Sequence, residues 1–508
     1  MINLYYFLFL VRRTFLTLVT CSIILSCQSE KESAILEGKL LAGKYCSSCH
    51  LFPEPALLDK NTWINGVLPA MAAQLGIEVL QGNVYLPGKN SVLTGKEWSR
   101  LVEYYNTLAP DTLQKATLPF AVVNGWNNFS LKKPENDSGA ISSTTMVAID
   151  EKKQRILTSN SERSAIYEYN SDLELLHSTD LPSAAIDISF AQNTGNELII
   201  TCMGGMQALD ITKGQIIGYK QKDNKTNLVS SDLIRPVQTR PLDYNKDGLQ
   251  DYVVCAFGHN RGGLYILEQN ADHTFKSIPI RELPGATQSI VRDFDHDGWP
   301  DIMTLFAHGD EGIWLFLNNH RGGFITKNIM RFPPSYGSSS FQLIDMDKDG
   351  KEDIVYTAGD NSDYSRILKP YHGIYIYKNT GELTFEKTFF YPVNGCTKAI
   401  AADFDKDGDT DLAVIAFFAD FKSNPAETFM YFEQENKSMT FKPYAIPVAS
   451  NGRWICMDVN DYDNDGDPDV ILGNYSKGFL NQENVKPSWN VHVPFVVLEN
   501  NILSKNDK

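Results

Sequence analysis

Beyond residue 129 the chain is a succession of short apolar runs separated by polar turns. Runs this short, rich in Val, Ile, Tyr and Phe, predict strands. Five of them follow directly on one polar motif: Tyr252-Val253-Val254, Ile302-Met303-Thr304-Leu305-Phe306, Ile354-Val355-Tyr356, Leu412-Ala413-Val414 and Val470-Ile471-Leu472. The motif sets side-chain oxygens at positions 1, 3, 5 and 9 and glycine at position 6. Its copies are Asp243, Asn245, Asp247, Gly248, Asp251; Asp293, Asp295, Asp297, Gly298, Asp301; Asp345, Asp347, Asp349, Gly350, Asp353; Asp403, Asp405, Asp407, Gly408, Asp411; and Asp461, Asp463, Asp465, Gly466, Asp469. First Asp to first Asp they lie 50, 52, 58 and 58 residues apart. A period near 50 predicts a repeat architecture. Each unit holds four strand-like runs, as in Ser289-Ile290-Val291, Ile302 to Phe306, Ile313 to Leu317 and Phe324 to Met330. Four strands per repeat predict the blade of a β-propeller.

Two upstream units keep the strands and lose the acids. One runs Met146 to Asp150, Arg155 to Thr158 and Ala165 to Tyr169; the next runs Ala185 to Ile188, Glu197 to Ile200 and Met206 to Leu209. Together with the five motif-bearing units they predict an all-β propeller of seven blades over residues 129–502. In four blades the fourth strand opens with Phe (Phe275, Phe324, Phe385, Phe441), 18 to 21 residues before the next first Asp. The last blade reaches a third strand at Phe495-Val496-Val497-Leu498 and shows no fourth. Phe129 to Lys133 fits the same register ahead of Asp150. It is expected to complete the last blade and remove an exposed edge.

The loops suit a hard cation. Calcium takes six to eight oxygens at about 2.3–2.6 Å. Side chains at 1, 3, 5 and 9, a carbonyl near 7 and a water would supply them, and Gly at 6 allows the sharp turn. Magnesium, with stricter octahedral demands, fits less well. An EF-hand loop needs a bidentate Glu at position 12. Here that position holds Val254, Thr304, Tyr356, Val414 and Leu472, and a strand follows at once. Up to five calcium ions are expected, as pins between strands.

The N-terminal part reads differently. Tyr45-Cys46-Ser47-Ser48-Cys49-His50 is the c-type haem attachment signature. Two thiols reach the two vinyl groups of one porphyrin, and the next residue places an imidazole at the iron. No second CxxC exists to complete a zinc site. Between residues 51 and 145 there is no other His and one Met, Met71, the expected sixth ligand. Met/His ligation suits electron transfer. Ser33 is expected to cap a helix from Ala34 to Tyr45, with Ile35, Leu36, Leu40 and Leu41 as its apolar residues. Thr94-Gly95-Lys96-Glu97 predicts a capping box opening a helix to Leu108, with Leu101, Val102, Tyr105 and Leu108 on its apolar face. Ala109-Pro110 stops it. The reading is a small all-α domain over 33–112 and a linker over 113–128.

Composition narrows the setting. Apolar residues make up 43% of 508, enough for sizeable cores. Against 62 Asp and Glu stand 46 Lys and Arg, a formal charge of −16, which argues against nucleic acid and a basic membrane patch. Nineteen of those acids are the Asp residues at motif positions 1, 3, 5 and 9 of the five loops, so bound cations would neutralise much of the excess. Arg12 and Arg13 precede an apolar run from Thr14 to Leu25, too short for a comfortable span and typical of a signal peptide, 1–26. Cys202, Cys255, Cys396 and Cys456 are widely spaced and read as buried free thiols.

Resemblances sharpen this picture. Ile24-Leu25-Ser26-Cys27 resembles the lipobox of bacterial lipoproteins, which implies lipidation at Cys27 and a membrane anchor. Residues 33–112 resemble a small cytochrome c, on CxxCH above all. The loops resemble the FG-GAP/VCBS repeats of integrin-type propellers, strongly for five blades and weakly for the first two. The whole chain resembles bacterial envelope proteins that join the two, exported to the periplasmic or outer-membrane side. The resemblance implies calcium loops between strands 1 and 2 on one face, and ligands at the 2–3 and 4–1 connections opposite. There stand His259, Arg261, His308, Asp310, Glu311, Asp360, Asn361, Asp420 and Lys422, with Tyr336 and Arg453. The expected function is non-catalytic: haem c passes electrons to a redox partner protein while the propeller binds a partner protein or glycan. The alternative is an oxidoreductase in which the propeller oxidises a substrate and the haem removes the electrons. It is disfavoured because Trp299, Trp314, Trp454 and Trp489 sit at unmatched positions, unlike quinoprotein docking repeats, and no dinucleotide glycine motif occurs between a strand and a helix.

Overall fold

A computed structural model describes residues 31–135, 139–190, 198–362, 366–436, 438–477 and 486–503. The signal-type segment and Cys27 lie outside the described residues. Among the described residues no helix is long and apolar enough to cross a membrane. The chain divides into two compact units: residues up to Gln114 with Ser362 and Arg366, and the remainder from Lys115.

In the first unit a helix spans residues 31–45. Ser33 lies inside it, so Ser33 is not its cap. The buried stripe is Ala34, Gly38 and Ala42, whereas Leu36 and Leu40 are exposed. Gly38 explains the choice. A Cβ there would come within 2.3 Å of the Arg100 carbonyl oxygen and 2.6 Å of the Tyr104 Cβ. Small residues let this helix approach the helix Gly95–Leu108, and Glu37 lies 3.4 Å from Arg100 across the contact. Helix Gly95–Leu108 opens with the expected capping box: Thr94 Oγ1 accepts from Glu97 N at 3.2 Å, and Glu97 accepts from Thr94 N at 2.8 Å. Its buried face is Trp98, Leu101, Tyr104 and Tyr105, while Leu108 is exposed. Between the helices lie Lys60–Thr62, a π turn Trp63–Val67 and the helix Leu68–Gln74. Pro69 brings no N–H, and the π turn absorbs the register change. Leu68 N donates to Trp63 O, five residues back. The Ile64 carbonyl this strands is taken by Asn83 Nδ2 at 3.2 Å. A short hairpin, Ile77–Leu80 with Val84–Pro87, was not foreseen and makes the unit α+β rather than all-α.

The second unit is a seven-bladed propeller of antiparallel four-stranded sheets. Blade 1 is Thr144–Asp150, Arg155–Asn160, Ala165–Tyr169, Leu175–Asp180; blade 2 is Ala185–Phe190, Leu198–Cys202, Gly214–Lys220, Lys225–Leu233. Blade 3 is Pro236–Leu242, Asp251–Ala256, Gly263–Gln269, Phe275–Arg281; blade 4 is Ala286–Arg292, Asp301–Phe306, Gly312–Asn318, Phe324–Arg331. Blade 5 is Ser338–Ile344, Asp353–Ala358, Gly373–Gly381, Thr384–Pro392; blade 6 is Cys396–Ala402, Asp411–Ala416, Phe429–Glu435, Thr440–Ala445. Blade 7 is Trp454–Asn460, Asp469–Asn474 and Phe495–Asn500, completed by Phe129–Lys132 as expected. The stretch expected as linker contributes Val123–Asn124, a parallel fifth strand on Tyr444–Ala445 of blade 6. Met206–Leu209 is a loop; the third strand of blade 2 is Gly214–Lys220.

Burial explains the apolar runs. In blades 3 to 7 every residue of the second strand is buried, because neighbouring blades cover both faces. A belt closes the ring inside. At each of the seven blade junctions a first-strand side chain bonds the backbone of the next first strand. Thr145 Oγ1 donates to Ala185 O at 2.6 Å, and Asp187 accepts from Thr239 N at 3.3 Å. Gln238, Gln288 and Gln342 accept from Ser289 N (2.6 Å), Phe341 N (3.2 Å) and Ala401 N (3.0 Å). Lys398 donates to Met457 O at 2.8 Å, and Asp458 accepts from Ile149 N at 2.8 Å.

Candidate functional site

The five acidic loops share one geometry. Position 4 is left-handed in every copy (Lys246, His296, Lys348, Lys406, Asn464; φ between 57 and 65). So is the glycine at position 6, with φ between 83 and 94. Two such turns fold the loop around its first Asp, whose Oδ2 accepts the glycine N–H at 2.8–3.1 Å in all five.

The Asp at position 9 has a different task. Asp251, Asp301, Asp353, Asp411 and Asp469 begin the second strand and are fully buried. One oxygen accepts the backbone N–H of position 2 at 2.9–3.2 Å (Tyr244, Phe294, Met346, Phe404, Tyr462). The other accepts an N–H from the third strand at 2.7–2.8 Å (Gln269, Asn318, Asn379, Gln434, Asn500). This carboxylate clamps loop to blade. Burial lifts it: Asp251 to about 6, Asp411 to about 7, Asp469 to about 8.

Oxygens converge where the acids do. Asp293, Asp295 and Asp297, then Asp345, Asp347 and Asp353, then Asp403, Asp405 and Asp411, then Asp461, Asp463 and Asp465 each bring carboxylate oxygens within 4.8 Å of one another. Such crowding is unfavourable without a cation. In blades 6 and 7 the Oδ1 atoms of Asp403, Asp463 and Asp467 are buried with no hydrogen-bond partner among the described residues. Blade 3 differs: Asn245 takes position 3 and donates to Asp247 at 2.9 Å.

The third-strand amides were not anticipated. Besides the backbone bond to the clamp, the side chains of three of the five reach back one blade, while Gln269 and Asn379 bond Gln250 and Glu352 within their own blades. Asn318 Nδ2 donates to Tyr244 O (2.8 Å), Gln434 Nε2 to Met346 O (3.2 Å) and Asn500 Nδ2 to Phe404 O (2.7 Å).

In the first unit Cys46 opens a 3-10 turn, Cys46–Ser48, and neither Cys46 nor Cys49 is in a disulfide. His50 Nδ1 lies 2.8 Å from the Leu51 carbonyl. A carbonyl only accepts, so Nδ1 is the donor in this contact, and in the neutral ring Nε2 would be the nitrogen with the free lone pair. The segment after His50 is held by two aromatics whose rings lie 4.3 Å apart: Tyr105 OH donates to Pro53 O, and Trp63 Nε1 to Pro55 O, both at 2.9 Å. Burial pushes the Cys46 thiol up to about 11, against a hydrogen bond with Tyr105 that lowers it. Met71 is partly buried on Leu68–Gln74.

Opposite the acidic loops, the polar residues largely satisfy one another. Asp310 pairs with Arg281 at 2.9 Å and Arg331 Nε at 2.9 Å. Glu311 accepts from Ser338, and Tyr336 stacks on Tyr371 at 4.8 Å. Arg453 is buried against Phe417 and Phe421. Asp210, which the sequence did not single out, accepts the N–H groups of His259 (2.8 Å), Asn260 and Arg261 (3.2 Å).

A family profile described as FG-GAP-like repeat matches residues 243–304 and 293–356. A T-cell immunomodulatory protein homolog of Plasmodium falciparum (isolate 3D7) is 26% identical over 134 residues, 25% of this chain and 18% of that protein. The match thus spans under a fifth of that relative's length. Among solved structures, a 6-phosphogluconolactonase-type protein of Bacteroides fragilis aligns with TM-score 0.39 and 13% identity, covering 59% of this chain and 82% of that one. BBS1N, solved in complex with ARL6DN, aligns with TM-score 0.41 and 10% identity, covering 73% and 97%. The chain carries FG-GAP-like repeats on a seven-bladed propeller, an architecture suited to binding and interaction.

Proposed function

We propose that the protein is a c-type haem electron-transfer protein, exported and held at the cell envelope by a lipid on Cys27, whose calcium-pinned propeller binds a partner protein or glycan. The observation that carries the haem reading is the approach of His50 Nδ1 to the Leu51 carbonyl. With Nδ1–H bonded to Leu51 O, Nε2 is the atom presented for ligation, the second-sphere arrangement of metal-bound histidines. Cys46 and Cys49 would hold the porphyrin, and His50 and Met71 would ligate its iron. A haem so held supplies reversible one-electron transfer. Exposed Leu36, Leu40 and Leu51 on either side of the motif offer apolar surface suited to a porphyrin. Tyr105 and Trp63 fix the segment that follows His50. Convergent carboxylates and buried orphan oxygens support calcium in the loops.

The chain should be produced in a host that attaches haem c and stained for covalent haem after denaturing electrophoresis. The wild type should stain and Cys46→Ala/Cys49→Ala should not; an unstained wild type refutes the haem reading. Met71→Ala should abolish the methionine–iron charge-transfer band of the oxidised protein, and a persisting band refutes that ligand.

A further inference from the structure

The five loops repeat one motif, but the side chains around them do not repeat. Position 7 holds Leu249, Trp299, Lys351, Asp409 and Asp467. The third-strand residue just before the clamped amide is Glu268, Leu317, Lys378, Glu433 and Glu499. In blades 6 and 7 this neighbour adds negative charge: Glu433 acts on Asp405, and Glu499 on Asp463. In blade 5 it does the opposite. Lys378 Nζ bonds the carboxylate of Asp347 and lies 3.3 Å from that of Asp349, spanning motif positions 3 and 5. Lys351 adds a second ammonium 3.3 Å from Asp349. Among the described residues no other loop has a lysine or arginine on two of its motif carboxylates. Blade 4 has His320 on Asp297 alone, and an imidazole carries charge only when protonated.

We propose that the Lys378 ammonium takes the place of the divalent ion in the blade 5 loop, so that this loop is pinned by a cation built into the chain and metal is left to the other loops. The inference rests on the reading that the acidic loops are calcium sites. An ammonium is a compact charge with three donors, enough to bridge the two carboxylates. Calcium could enter only by displacing it against like charge. The contrast with blade 7 is direct. There Asp467 is 1% exposed, its Oδ1 has no partner, and no lysine reaches the motif carboxylates among the described residues. Asp347 keeps an orphan Oδ1 of its own beside the lysine-bound oxygen, so the cup survives once the ammonium is removed.

The test is calcium stoichiometry. The full chain, stripped with chelator and exchanged into chelator-free buffer, is titrated with calcium chloride in a calorimeter and checked by equilibrium dialysis with atomic emission. Lys378→Met removes the ammonium, and Lys378→Glu installs the residue that blades 3, 6 and 7 carry there. Each variant should bind one more calcium per chain than the wild type. In chelator each should melt below the wild type, and calcium should restore it. A wild-type stoichiometry of five, or the wild-type number in whichever variant folds, overturns the proposal. Calcium bound by none of the three proteins instead overturns the reading of the loops as cation sites.

Discussion

Phe129→Ala removes the side chain that fastens the strand Phe129–Lys132 to the last two blades. The backbone of Phe129 pairs with Asn500 in blade 7. Its ring is 5% exposed and packs edge-on against Phe404 (5.8 Å) and Tyr431 (5.6 Å) of blade 6. Truncating a buried phenylalanine costs about 3–5 kcal/mol, of which the two edge-to-face pairs account for about 0.5–1.5 kcal/mol each. Phe275 opens the fourth strand of blade 3 in the same register but is only half-buried, with one tilted neighbour, Tyr252. By buried area Phe275→Ala should cost about half as much. Urea unfolding in calcium buffer, followed by tryptophan fluorescence, measures both. Limited proteolysis of residues 115–128 gives a local readout, since loss of the seam should expose this stretch in Phe129→Ala alone. Equal losses for the two variants, or faster cleavage in Phe275→Ala, would refute the claim that Phe129 seals the ring.

Asn318→Ala strands the buried carbonyl of Tyr244 and the part-buried one of Pro300 and should lower unfolding free energy by about 1–3 kcal/mol, measured by the same urea series. Thr94→Ala breaks the capping box and should cost about 1 kcal/mol, seen as an earlier loss of helical ellipticity; Thr94→Ser should largely restore it. Burial holds the His372 imidazole well below its usual pKa, and its Nε2 has no hydrogen-bond partner among the described residues. Below about pH 6.5 the unfolded chain therefore takes a proton that the folded chain refuses. Stability is full near neutrality and falls by up to about 1.4 kcal/mol per pH unit as pH drops, so wild type should lose stability relative to His372→Leu on acidification. A constant difference from pH 7.5 to 5 would show that His372 is not held neutral. Chelation of bound calcium should lower the melting temperature, because an ion held only by the folded state stabilises it by mass action; an unchanged midpoint means empty loops.

Much of the propeller was legible because in blades 3 to 7 the second strand is buried on both faces and follows the same acidic turn. Motif, strand and period therefore reinforced one another, and the leftover Phe129 strand could be assigned by register. Blade 2 lacks the acidic turn, and there the reading slipped. Met206–Leu209 looked like a strand by alternation, but the real third strand, Gly214–Lys220, starts at a glycine whose missing Cβ makes room for Pro236. The interblade amides were invisible for another reason. Asn318, Gln434 and Asn500 are placed by the length of the preceding connection, which varies from blade to blade, so no fixed spacing betrays them. Their visible signature is a lone Asn or Gln ending an apolar run. In the first unit, amphipathic counting chose Leu36 and Leu40 because large residues usually face a core, whereas the close contact at Gly38 demanded small ones.

The seam at Phe129–Lys132 also sets a clock. Lys132 pairs with Val497, so a strand synthesised ahead of blade 1 waits for nearly the last one. At about 5–20 residues per second, the ribosome takes roughly 20–70 s to supply that partner. Blades 1 to 6 can be complete while this strand still has an open edge, and the unfinished blade 7 of a second nascent chain offers it an identical register. Closure thus waits for delivery of the C-terminal blade, and exchange of this one strand between chains is the characteristic error the topology permits.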